Sequence, residues 1–194
     1  MTMKSINKKF WILPIVAGGL FLVSFVLSDN ETSTSETEID TPKKAAVKSE
    51  TETLQWHTDL NEVHQISTET GKPIFAFFTG SDWCGWCRKL QAEVFAKEAF
   101  VEWANDNVVL LELDFPRRKV LDSTLQAQNY GLQRAFGVSG YPTIWIFETE
   151  FDQDANNMSI SALGSLGYPR GAEVGKEEDL FIKNANQILA NKPD

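Results

Sequence analysis

The chain has 194 residues, a formal net charge of −9 at pH 7 and 42% hydrophobic residues, among them 13 Phe and 6 Trp. That size and apolar content suit one domain with a true core plus appendages. The acidic balance offers no basic stripe for phosphates, which argues against nucleic acid as a partner, and two cysteines are too few for a disulfide-stapled secreted scaffold.

Lys4, Lys8 and Lys9 lead into an uncharged apolar run from Phe10 to Leu27, and Asp29 and Glu31 follow it. Such a run is just long enough to cross hydrocarbon as a helix. The charge bias keeps the N-terminus in the cytoplasm and sends the remainder outward. A signal peptide cleaved near the small residues Val26 and Ser28 is the rival reading. The length of the run favours an anchor, and no lipobox cysteine is present. Residues 1–28 are thus read as a membrane anchor or signal, and either reading places the remainder on the extracytoplasmic, periplasmic side. Residues 29–53, rich in Ser, Thr and Glu, bury too little surface to offset ordering entropy and read as a disordered linker. Residues 54–194 form the domain, its folded part running from Leu54 to about Asn191.

Within the domain the hydrophobic period switches repeatedly. Leu60, Val63 and Ile66 predict a helix that stops at Gly71. "PIFAFF" (Pro73 to Phe78) is a continuous apolar run, the pattern of a strand buried on both faces. Leu90, Val94 and Phe95 stripe a helix that starts at the cysteines. "VVLLEL" (Val108 to Leu113) is a second buried strand. Leu125, Asn129, Leu132 and Phe136 mark another helix, capped by Asp122 or Ser123 and ended by Gly137. "TIWIF" (Thr143 to Phe147) and "MSISALGSL" (Met158 to Leu166) are two more strands, and Leu180, Phe181, Ala185, Ile188 and Leu189 stripe a closing helix. Long crossovers imply parallel early strands, while the short last link implies an antiparallel hairpin.

"SDWCGWC" holds both cysteines. A crosslink closing so short a loop removes little unfolded-state entropy, so stapling is a weak reason for the pair. Zinc needs four ligands, and only His57 and His64 could complete a set, seven apart near the first helix; the preferred reading of both is an ordinary surface or partly buried histidine. The redox reading follows from position. Cys84 comes directly after a strand and short turn, at the start of a helix, where free N–H groups and the helix dipole favour thiolate. Cys87, one turn on, can close a disulfide with it. Cys84 is expected to be exposed and attacking, Cys87 more buried and resolving.

Downstream, "FGVSGYPT" (Phe136 to Thr143) brackets a turn with Gly137 and Gly140 and opens a strand with Pro142, which on spacing alone reads equally as a cis site or as an ordinary trans loop proline. Together "KPIFAFFTGSDWCGWCRKL", "VLLELDF" and "FGVSGYPT" resemble the thioredoxin family, and within it the exported thioredoxin-like domains related to the C-terminal part of the membrane thiol–disulfide interchange protein. The resemblance covers about Leu54 to Ala190. It implies an α/β thioredoxin fold, a central mixed four-stranded sheet flanked by helices, and thiol–disulfide oxidoreductase activity on exported proteins. By carry-over Cys84 and Cys87 match the redox-active pair and Pro142 the cis-proline facing it. The backbone of Gly140 and Tyr141 would line a groove where an extended peptide adds as a strand, with Trp83 shielding the pair and Trp86 offering an apolar face. No cofactor and no metal is implied. The partners are protein thiols and disulfides, a membrane electron-donor protein, and the membrane itself through residues 10–27.

The sequence also departs from the family. Thioredoxins carry a buried Asp in the strand before the motif, where Phe77 or Phe78 stands here, and "TGSDWC" lengthens the turn by one residue. Asp82 would oppose a thiolate if it lay near Cys84, and Glu112 is a candidate relay; the preferred reading of both is a solvated surface carboxylate. "FPRRKVLDS" (Phe115 to Ser123) inserts a basic loop, read as a solvated connection or a partner contact. A membrane-tethered reductase is the preferred direction, with an oxidase or isomerase as alternative. The rival of another class is a redox-inert peptide- or metal-binding module.

Overall fold

The structure, a computed structural model, describes residues 53–152 and 157–191. The expected anchor or signal, nearly all of the linker and the last three residues lie outside them. Among the described residues no helix is long and apolar enough to cross a membrane.

Eleven-residue α1 (Leu60–Thr70) starts where the Asp59 carboxylate accepts from the amides of Asn61 and Glu62, and ends at Gly71 with φ of 70°. That left-handed turn is one only glycine adopts without a Cβ penalty. β2 (Ile74–Thr79) follows, buried along its whole length as its unbroken apolar run predicts. α2 (Gly85–Leu90) runs directly into a π-helical turn (Gln91–Phe95), and α3 (Glu98–Asn107) leads to β3 (Val109–Asp114). α4 (Ser123–Ala135), the β4–β5 hairpin (Thr143–Asp152, Asn157–Leu166) and α5 (Glu177–Ala190) complete the chain. The Asp122 carboxylate caps α4 by accepting from Thr124, the first of the two candidates named from sequence.

With β1 spanning Trp56–His57, the sheet order is β1-β3-β2-β4-β5, with β2 parallel to β3 and antiparallel to β4. Five strands replace the expected four, because β1 adds a two-residue parallel edge against Leu110 and Leu111. A strand that short has no period to read. Alternation along β2 divides the core into two layers. Phe75 and Phe77 face α2, α3 and α5, with Leu110, Ile144 and Ile146 beside them. Ile74, Ala76 and Phe78 face α1 and α4, with Leu111, Leu113 and Phe147 beside them. Phe75 is the hub of the first layer, its ring 5.9 to 6.3 Å from those of Trp56, Phe95, Phe100, Trp103 and Phe181.

β4 pairs with β2 only from Thr143 to Phe147, whereas its pairing with β5 continues to Asp152. The outer part of the hairpin is therefore a two-stranded ribbon leaving the sheet at the end where β2 begins. His64 on α1 props it through a 2.8 Å hydrogen bond to Thr149 and a ring contact with Phe151.

Candidate active site

Cys84 is the N-cap residue of α2, with extended backbone (φ −79°, ψ 100°), and its sulfur accepts a hydrogen bond from the Cys87 amide at 3.1 Å. The two sulfurs are joined by a disulfide, with Cα atoms 5.3 Å apart. The expectation that Cys84 is exposed needs correction: it is 4% exposed against 1% for Cys87. Both belong to the first core layer, and the aromatic side chains of Trp83, Tyr141 and Tyr168 pack against that layer. Cys84 is the more accessible of the two by a small margin only.

The turn carrying Cys84 is braced from several directions. Trp83 and Cys84 donate their amides to the Gly80 carbonyl. Ser81 donates both its amide and its hydroxyl to the Asp114 carboxylate at the end of β3, at 2.7 and 2.6 Å. Asp82 accepts from the amides of Arg117 and Arg118 at 3.0 and 2.6 Å. Those amides hold its carboxyl below the ordinary value. Asp82 is thus not a free surface carboxylate; it ties the inserted basic loop to the cysteine turn. Trp83 completes the tie, its indole N–H donating to the Phe115 carbonyl at 2.8 Å and its ring carrying the Arg117 guanidinium at 3.9 Å.

Gly80 makes this arrangement fit. A Cβ built there would lie 2.4 Å from the Trp83 ring. Gly80→Ala is therefore expected to displace the indole, break its bond to Phe115 and destabilise the domain by about 1–3 kcal/mol. A denaturant midpoint equal to that of the native chain would show that the ring is free to move aside.

The second motif lies against the first. Tyr141 meets Trp83 edge to face at 5.6 Å, meets Phe115 at 5.3 Å, and its hydroxyl accepts from Gln133 at 2.6 Å. The Tyr141–Pro142 peptide bond is cis. Thr143 closes the turn by donating its hydroxyl to the Gly140 carbonyl. Segments 57 residues apart in sequence, counted from Trp83 to Gly140, thus share one face. Trp86 is 54% exposed and rests edge to face on Tyr168, with the Lys89 ammonium 5.2 and 5.0 Å from the two rings. The Tyr168 hydroxyl donates to the Glu93 carboxylate, which Lys89 also approaches at 3.9 Å. Tyr168 and this cluster were not legible in the sequence.

Glu112 is half-buried rather than solvated. Parallel register sets it beside Phe77, on the sheet face that bears α2 and the cysteines. Burial raises its carboxyl above the ordinary value, Asp114 adds to the rise, and Lys119 opposes it. The unfolded chain keeps the ordinary value, so this group's contribution to stability is complete below that value and is lost as pH rises through the folded one. The melting temperature of the native chain is expected to fall relative to that of Glu112→Gln as pH rises above the ordinary carboxylate range. Parallel curves would mean a carboxyl open to water. His57 and His64 are engaged apart from the cysteines, with Glu62 at 3.0 Å and with Thr149.

Comparison with known proteins agrees with this geometry. The family model described as a thioredoxin-like domain matches residues 60–152. A disulfide bond reductase DsbH of Chlamydia pneumoniae is 32% identical over 115 residues, covering 59% of this chain and 68% of the relative. A thioredoxin-related protein DsbJ of the same organism is 26% identical over 76% of this chain, which spans 42% of that relative's length. Among solved structures a DsbH oxidoreductase superposes with a TM-score of 0.57 at 24% identity, covering 82% of this chain and 96% of that one; this similarity speaks for the fold. Thiol–disulfide oxidoreductase chemistry is the family-level function that these relatives and the CxxC disulfide support. The chain belongs to the thioredoxin family, where it is similar to the Dsb-type proteins.

Proposed function

We propose that the chain is a membrane-tethered disulfide reductase acting on exported proteins through Cys84 and Cys87. The observation that carries this reading is the Cys84 sulfur at the head of α2, receiving the Cys87 amide. A donor already aimed at sulfur stabilises a thiolate there once the pair is reduced.

The reaction needs no cofactor. The Cys84 thiolate attacks one sulfur of a substrate disulfide, breaking that S–S bond and releasing the other sulfur as thiolate. Cys87 then loses its proton and attacks Cys84, and the substrate leaves as a dithiol. Two electrons pass to the substrate with the Cys87 proton and a second proton from water, and the Cys84–Cys87 disulfide forms. A membrane electron-donor protein returns the electrons. In this reading Trp83, Trp86, Tyr141 and Pro142 surround the entering sulfur, and the backbone at Gly140 and Tyr141 accepts an extended peptide. Residues 10–27 hold the domain at the periplasmic side of the cytoplasmic membrane. The name of the DsbH relative supports the reducing direction.

Equilibration of the full chain with dithiothreitol or glutathione buffers tests that direction. The expected potential lies near about −250 mV, in the range of thioredoxin and glutaredoxins, and a value near about −120 mV would make the chain an oxidase. Failure of the reduced chain to reduce insulin at any potential would favour a redox-inert binding module.

A further inference from the structure

Charge on this molecule is distributed unevenly. The chain has 27 Asp and Glu against 18 Lys and Arg. Yet Arg88, Lys89, Arg117, Arg118, Lys119 and Arg170 all lie on the segments around the disulfide. Carboxylates at this end are engaged by the protein's own groups: Glu177, whose charge acts on Lys89, accepts from the Gly175 amide, and Asp122 accepts from that of Thr124. Asp82 is held by two loop amides, Asp114 by Ser81, and Glu93 by Tyr168 and Lys89. Glu112 is half-buried. Arg117, Arg118 and Lys119 by contrast are exposed.

Two of the cations have fixed seats. Arg117 lies on Trp83 and Lys89 lies between Trp86 and Tyr168. Sheet order sets these seats apart. The cysteine turn follows β2, while Arg117 follows β3 on one side and Tyr168 follows β5 on the other. A cation resting on a ring has lost part of its rotamer freedom already, so pairing with an incoming carboxylate costs less ordering.

We propose that the redox face selects substrates whose disulfide is flanked by Asp or Glu, the cations on Trp83 and on Trp86 with Tyr168 receiving the carboxylates from two sides. This selection rests on the oxidoreductase reading above. An acidic protein is the occupant, rather than an anionic lipid surface or a nucleic acid, because the cations surround a group that reacts only with another sulfur.

Two disulfide-bridged peptides of equal length and cysteine spacing, one with Glu and one with Lys beside each cysteine, test it. The full chain in neutral detergent is reduced, freed of reductant and mixed with each peptide, and with hydroxyethyl disulfide as an uncharged reference. The Glu peptide is expected to react at least about tenfold faster than the Lys peptide at low salt, with the ratio falling towards one near 0.5 M salt, where exposed charges are screened over roughly 4 Å. Arg117→Gln combined with Lys89→Gln, which removes both seated cations, is expected to lower the ratio severalfold, and an unchanged ratio would overturn the selection; because the ratio is taken within one protein, a general loss of activity cancels. Equal rates, a faster Lys peptide, or reaction with hydroxyethyl disulfide but neither peptide would overturn the selection and leave the oxidoreductase reading standing. No reaction with any of the three would overturn both.

Discussion

Cys87→Ala is expected to stop turnover and leave the chain covalently joined to its substrates through Cys84. Cys84 caps α2 and is the sulfur that receives an amide, whereas Cys87 lies one turn deeper and is 1% exposed. Without Cys87 the mixed disulfide has no internal thiol to resolve it. Insulin reduction should drop by roughly three orders of magnitude in this variant and equally in Cys84→Ser, because two groups acting as one unit are lost together when either is removed. Only Cys87→Ala should show higher-mass, thiol-sensitive bands on a non-reducing gel. Bands trapped instead by Cys84→Ala would exchange the two roles, and none in either variant would refute the two-step exchange.

Phe75→Ala is expected to cause the largest loss of stability, about 3–5 kcal/mol. The side chain is fully buried on the central strand and meets five aromatic rings from β1, the π-helical turn, α3 and α5. The five rings fill little of such a gap, since they are themselves wedged against one another, as with Phe95 and Phe100 at 4.7 Å. Against a total stability of about 5–15 kcal/mol, such a loss should lower the melting temperature by on the order of 10 °C. A change below about 1 kcal/mol would mean that the layer collapses readily around the gap. Val120→Ala, at a position 97% exposed, is the matched control and should stay within about 0.5 kcal/mol.

The parts of the fold that were legible in the sequence are those that local periodicity and end signals encode. The unbroken run from Ile74 to Phe78 announced a strand with no solvent face, and Gly71 and Asp122 marked helix ends where the backbone ends them. α3 escaped although Phe100, Trp103 and Ala104 have helical spacing. It follows the previous helix almost directly, and Lys97 at its head makes no side-chain cap. The π-helical turn escaped because Leu90, Val94 and Phe95 read equally well as the stripe of an ordinary α-helix, whose pattern also buries adjacent residues. At the site, the cysteine pair and the Tyr141–Pro142 turn could be named because each motif is local. What braces them is not local: Asp82 acts on amides 35 and 36 residues away, and Trp83 on a carbonyl 32 residues away. Composition and spacing carry no record of such partners.

The ribbon beyond Phe147 bears on how the molecule tolerates change. There the ladder joins β4 to β5 alone, a pairing that by itself is marginal in water and that His64 props from α1. The Thr143 end of the hairpin, adjoining the Tyr141–Pro142 turn, is by contrast clamped into the full sheet through Phe78. A label on an exposed side chain of the outer hairpin, such as Phe151, should therefore leave the sulfur chemistry untouched, making that end the natural place to attach a reporter.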